Sequence, residues 1–344
     1  MSGQINWPEP SLITEVISEF QPDNTKYVGS SLCPMNTTKW NNSPKLISWD
    51  ILGAGGGMTN ATTLGANPKM VKMTPLKTKA MRTAYWKEFI RLDEDDLLNL
   101  RGVGRNDRTR LAEQLVMMAV NRLDNRLFTR MEWLIWQMFS GTLSINENGV
   151  VRTIDYEIRG GTYVTASPLW SSYTDSQPVT DLQTWGQKFT DIGTELDVVY
   201  INQQTAIHLS RNASVQTLVR NYSTVLQIGA NNVGKLIMTL AGVPGRIEVY
   251  DKGYKADNLT YTRFIPDGKA YLFAVHVADQ GPFAEFASTP SIYNGGISGA
   301  TGGRFVRTLD ETQNIHKAHY DVMMGLYGLP VMYHPEWVIV ATVA

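Results

Sequence analysis

The sequence holds one cysteine, Cys33, in 344 residues. A single thiol excludes an internal disulfide framework and a multi-cysteine metal cluster. Charge is scarce as well: 18% of residues are Asp, Glu, Lys or Arg, against roughly 25% in an average globular domain. Lys and Arg (31) nearly balance Asp and Glu (32), giving a formal net charge of -1. The chain therefore lacks the basic excess that gives a nucleic-acid reader its electrostatic footprint. No apolar run approaches the ~18 residues that suggest a membrane span. The opening MSGQINWPEP has no basic segment followed by an apolar core, so it does not read as a secretory signal. These absences point to a soluble protein made and kept in a reducing cytoplasm, without a membrane partner.

Apolar residues, by contrast, make up 43% of the chain, with nine Trp among them. A chain of this length can bury more than one core, and its low charge implies surface covered internally or by neighbours. Residues 1–44 carry Pro8, Pro10, Pro22, Pro34 and Pro44. Proline stops helices and removes ladder donors, so the spacing predicts an extended arm with one helical turn near 11–20. Trp7, Phe20, Tyr27 and Trp40 give that arm something to dock with.

Residues 45–92 read as a long hairpin. In KLISWDIL, Leu46, Ser48 and Asp50 alternate with Ile47, Trp49 and Ile51. A glycine-rich tip follows, and KMVKMTPLKTKAMRTAYWKEFIRL returns. A ribbon of two strands is marginal alone in water, so its apolar residues Trp49, Met70, Met73, Tyr85 and Trp86 are candidates for contact with another copy. LDEDDLLNLRG suggests a short helix. The strongest helical pattern runs over 107–140, where Ala112, Val116, Val120, Leu123, Leu127, Met131, Leu134 and Met138 line one face. Residues 142–170 suggest β-hairpins with NENG as a turn, and 178–192 a second amphipathic helix. From Asp197 the pattern alternates between strand and helix, an α/β lobe to about residue 309. Within it, 291–303 reads as a flexible glycine loop, and two strands close the chain.

Chemistry-bearing motifs are weak. Gly229-Ala-Asn-Asn-Val-Gly234-Lys235 fits the phosphate-binding GxxxxGK, but Leu236 stands where Ser or Thr should supply a hydroxyl to Mg²⁺. Gly53 to Met58 fails the dinucleotide fingerprint. His316 and His319 would point to opposite faces of a strand, and no HExxH or GxSxG is present. No cofactor, metal or catalytic set is expected, and the chain is not expected to be an enzyme. One charge pattern is unusual: Arg122, Arg126 and Arg130 stand at successive i,i+4 positions of the long helix. Like charges there cost an isolated helix about 0.2–0.5 kcal/mol per pair. Carboxylates of the same or a neighbouring subunit, or packaged nucleic acid, are candidates to compensate.

Four stretches, KTKAMRTAYWKEFIRLDEDDLLNLRG, RLDNRLFTRMEWLIWQMFSGTLSI, FIPDGKAYLF and LPVMYHPEWVIVATV, occur in an order and with a pattern that resembles the major capsid protein E family of lambda-like tailed bacteriophages. EWLIWQMFSGTLSI and IPDGKAYL are the more specific. The resemblance implies an α+β chain with the tailed-phage major capsid shell fold. It would comprise an N-terminal arm (1–44), an extended β-hairpin loop (45–92), a peripheral domain (93–195) containing a long spine helix (107–140), an axial domain (196–309), and return strands of the peripheral domain (310–344). It implies a structural protein that self-assembles as hexamers and pentamers into an icosahedral head around double-stranded DNA. Its place would be in the virion, after assembly in the host cytoplasm. Implied partners are a portal protein, a decoration protein and packaged DNA held non-specifically. A separate scaffolding protein is also expected, since the chain starts directly at the arm. Two alternatives remain open: a nanocompartment shell of the same fold, and a nucleotide-binding protein built on Gly229 to Lys235.

Overall fold

The computed structural model describes residues 23, 25–40, 45–51, 77–93, 95–96, 105–147, 149–158, 162–223, 237–239, 242–256, 259–275, 281–294, 299–313 and 317–344, with 105–110 and 222–223 described by backbone alone. Its contacts divide it into two compact units: Met1–Ser48 with Ala80–Ile135 and Glu285–Val331, and Trp49–Lys79 with Trp136–Ala284 and Met332–Ala344.

The long helix spans Arg105–Phe139, about 50 Å at 1.5 Å per residue. The stripe expected from the sequence is the buried one: Ala112, Val116, Val120, Leu123, Leu127, Met131, Leu134 and Met138 are all buried. Gly141 follows the helix with φ 94, a backbone that glycine adopts without steric cost.

In the first unit the 14-residue strand His319–Met332 pairs antiparallel with Arg304–Glu311 and with Ala84–Leu92. The short strand Met35–Asn36 runs parallel to Ala284–Ser288, pairing with Phe286 and Ala287. Gly325 sits where a side chain cannot. A Cβ there would lie 2.6 Å from Phe305 Cζ and 2.8 Å from the Trp86 carbonyl oxygen.

Residues 27–40, expected to be an extended arm, are built into this unit. A helix forms at Val28–Leu32, and Tyr27, Leu32, Cys33 and Trp40 are buried. Two buried carboxylates hold the segment. Glu132 accepts from the Gly29 and Ser30 amides at 2.7 and 3.1 Å. Glu285 accepts from Asn36 Nδ2 and Trp40 Nε1, both at 3.0 Å, and pairs with Lys39 at 3.2 Å. The turn expected at 11–20 lies outside the described residues.

The second unit is centred on a five-stranded sheet in the order Tyr163–Thr165, Val338–Thr342, Lys269–Phe273, Val198–Ile201, Arg246–Val249. Helices occupy Pro178–Asp191, Gln203–Arg211 and Ala213–Ser223. Asn202 starts one of them, its side chain accepting from Thr205 N at 2.8 Å. Asn212 starts the next, accepting from Ser214 N and Val215 N. Both use the N-cap chemistry that short polar side chains provide. Trp136 is the aromatic hub, with Phe139, Tyr200, Tyr250, Tyr271 and Phe273 packed at ring distances of 5.3–6.3 Å. Burial pushes the Tyr271 phenol well above its ordinary range.

Two expected boundaries need correction. The return strand of the hairpin does not run unbroken to residue 92. It pairs as Lys77–Arg82 with Leu46–Ile51 and stops at Thr83, a buried residue whose amide donates to the Lys45 carbonyl. Ala84–Leu92 then joins the large sheet. The final strand, Val338–Thr342, pairs with Tyr163–Thr165, within the expected peripheral domain, and with Lys269–Phe273, within the expected axial domain. It lies inside the sheet of the second unit, because VIVAT is apolar on both faces and needs neighbours on both sides. Residues 285–309 belong with the first unit. There the glycine loop is pinned at its base by a Ser291–Thr301 bridge and by Gly303 N donating to Ser288 Oγ at 2.7 Å.

Candidate assembly surface

The ribbon strands show the alternation read from the sequence. Ile47, Trp49 and Ile51 are buried while Leu46, Ser48 and Asp50 are exposed. Trp49, expected at a contact between copies, is only 5% exposed. Its ring packs on Tyr156 at 6.3 Å, so the isolated chain already covers it. Met70 and Met73 lie outside the described residues.

On the other strand Lys77 and Lys79 fall on one face, because side chains two apart in a strand point the same way. Both reach Glu157: Lys77 Nζ lies 2.5 Å from Oε2 and Lys79 Nζ 3.0 Å from Oε1. Lys79 also donates to the Asp155 carbonyl oxygen. Thr78, between them, donates to Asp50 Oδ1 at 2.5 Å across the ribbon. The hydrogen bonds from Lys77 and then Lys79 hold the Glu157 carboxyl below the usual carboxylate range. Glu157 has φ 55, a left-handed conformation that costs a non-glycine residue roughly 1–2 kcal/mol.

Ala84–Leu92 is paired only to His319–Met332 among the described residues, and its two faces differ. Tyr85 and Phe89, on one face, are 49% and 57% exposed. Tyr85 leans edge-on against Tyr327 at 4.5 Å, and exposed Leu309 lies two strands away. Large apolar side chains in one exposed area are what a contact surface needs. Trp86 and Glu88, on the opposite face, meet the arginine stripe. Arg126 pairs with Glu88 through two bonds, at 2.5 and 2.9 Å. Arg130 lies 5.1 Å from the Trp86 ring and 5.2 Å from the Trp133 ring. The compensation sought for the stripe is thus in part a carboxylate of the same chain. Arg122 is exposed and makes no ion pair among the described residues.

Sequence reasoning missed Glu88, Phe89 and Glu157. Glu88 had a legible signal, since it stands two residues from Trp86 and so shares its face of the strand. Glu157 had none, because its role depends on where the chain turns after Asp155. No group of three or more His, Cys, Asp or Glu that could hold a metal occurs among the described residues. No helix among them is long and apolar enough to cross a membrane. Gly229, Gly234, Lys235, Leu236 and His316 lie outside the described residues.

A family model described as phage major capsid protein E matches residues 21–343. No protein with a curated description matches the sequence. Among solved structures, a phage-related protein from Bordetella bronchiseptica RB50 is similar over 99% of both chains, at 13% identity and TM-score 0.58. A protein described as a prophage capsid protein of E. coli CFT073 is similar over 78% of this chain and 80% of its own, at 16% identity and TM-score 0.57. The capsid of Myoviridae phage XM1 is similar over 99% of this chain and 100% of that one, at 11% identity and TM-score 0.51. At these identities the likeness is one of fold.

Proposed function

Because this chain belongs to the phage major capsid protein E family, and is thus a structural protein of a tailed-phage capsid, we propose that it self-assembles as hexamers and pentamers. The product is an icosahedral head enclosing double-stranded DNA. The family match over 21–343 carries this reading. The paired ribbon and the exposed Tyr85, Phe89 and Leu309 support it, since this apolar surface is uncovered in a single copy. The chain acts through its surfaces and not through catalysis. Its partners are further copies of itself, a scaffolding protein that shapes the growing shell, a portal protein at one vertex and a decoration protein outside. Packaged DNA is held by non-specific contact, for which exposed Arg122 is a candidate. Assembly takes place in the host cytoplasm.

In this reading the ribbon and the Tyr85 face close contacts between subunits, while the two compact units fold on their own cores. The test is electron microscopy of the full chain co-expressed with its scaffold. Closed particles of uniform size are expected. A stable, well-folded monomer in the presence of the scaffold would overturn the reading.

A further inference from the structure

The base of the ribbon is held by three consecutive residues. Asp155 offers its carbonyl to Lys79, Tyr156 offers its ring to Trp49, and Glu157 offers one carboxylate oxygen to each of Lys77 and Lys79. Tyr156 itself is tied to the end of the long helix, its amide donating to the Gly141 carbonyl at 2.9 Å. The Asp155 side chain accepts from the Glu157 amide at 2.8 Å and so fixes the turn that presents Glu157. All of these residues belong to the second unit.

The ion pair with Lys77 adds little to fold stability: Lys77 and Glu157 are partly exposed, at 54% and 26% of their side chains, and exposed ion pairs contribute little, while Lys79, at 17%, is the more covered partner. Glu157 also occupies a backbone conformation that Asn or Gly would adopt with less strain. Strain kept at a residue that contributes little to the fold points to a function for that residue. Trp49 on Tyr156 anchors one face of the ribbon, where Ile47 and Ile51 are buried as well, and apolar burial fixes position more firmly than direction. The two lysines, reaching one carboxylate from the same face of the strand, supply the missing constraint on direction.

We propose that Glu157 is a positioning residue for assembly: it fixes the direction of the ribbon residues 49–51 and 77–79 within the second unit, and so the spacing at which one copy engages the next. The proposal rests on the reading that the ribbon closes contacts between subunits.

The test uses the full chain co-expressed with its scaffold. In Glu157→Asn the clamp is lost and the backbone strain is relieved together. The isolated subunit should keep its circular dichroism and melt at the same or a higher temperature, yet most of the closed-shell fraction should vanish from sedimentation. A purely structural role would move both readouts in the same direction. Glu157→Lys should assemble no better. Exchanging the charges, Glu157→Lys with Lys77→Glu and Lys79→Glu, should bring shells back. Normal shells from Glu157→Asn, or no recovery on charge exchange, would overturn the proposal. Should Glu157→Lys fail to fold, Lys77→Gln with Lys79→Gln removes the same ties from the other side and must reproduce the defect. Replacing residues 50–72 by a short turn separates the two ideas. If that chain still makes normal shells, the ribbon reading has failed. If it makes none while Glu157→Asn assembles normally, only the clamp has failed.

Discussion

Glu132 and Glu157 are both single carboxylates that gather donors from a distant part of the chain, yet one is fully buried and the other is reached by solvent. Glu132 receives the backbone amides of Gly29 and Ser30. Its neighbourhood is so tight that a Cβ on Gly29 would lie 2.9 and 3.0 Å from its carboxylate oxygens and 3.0 Å from Ile135 Cγ2. A charge without donors in such a place costs several kcal/mol, so the donors are obligatory and the segment they belong to is fixed. Glu157, itself 26% exposed, receives one well-exposed lysine, Lys77, and one largely covered lysine, Lys79, and the Lys77 pair adds about 0–1 kcal/mol. Burial makes the first contact a condition of folding. Exposure leaves the second free to serve geometry between subunits.

The largest effect expected from this contrast is at Glu132. Glu132→Ala leaves two buried amides without an acceptor and should cost the isolated subunit about 3 kcal/mol in urea unfolding. A loss near zero would erase the distinction between the two carboxylates. Gly29→Ala should cost about 1–3 kcal/mol in the same measurement, because the methyl has nowhere to go. On the exposed side, Arg126→Ala breaks a pair whose two side chains are 54% and 51% exposed, and it should change stability by about 0.5 kcal/mol or less. The smallest effect is a titration. Lys77→Ala should move the Glu157 carboxyl back up toward its ordinary range, followed by carbon-detected NMR. The sign is set by the lowered value. The clamp is complete above the ordinary carboxylate range and is lost only as pH falls through the lowered one. An unmoved titration would mean that Lys77 does not hold Glu157 in solution.

The same division explains what could be read in the sequence. The long helix was legible because one face of it is buried throughout, which writes a regular period into the residues. The strand pattern at 46–51 was legible for the same reason. Within 27–40 the docking residues Tyr27 and Trp40 were legible, but the helix at Val28–Leu32 was not: Pro34 and the polar residues around it argue against regular structure, while the groups that hold the segment, Glu132 and Glu285, are about a hundred and about two hundred and fifty residues away. The helix Ala213–Ser223 was missed although Asn212 caps it. The Val338–Thr342 strand was read as a strand, but its second neighbour, Lys269–Phe273, was not foreseen, since pairing partners leave no local trace. At the candidate surface, the sequence offered Tyr85 and Trp86 alike, while in the structure Tyr85 is exposed and Trp86 faces Arg130. It also offered Trp49, which Tyr156 covers.

The central claim, that shell formation depends on the ribbon while the two units fold without it, is tested most directly by replacing residues 50–72 with a short turn and measuring circular dichroism and sedimentation together. The account predicts near-native secondary structure in a subunit that forms no stable shells. Normal shells, or global unfolding of the subunit, would contradict it.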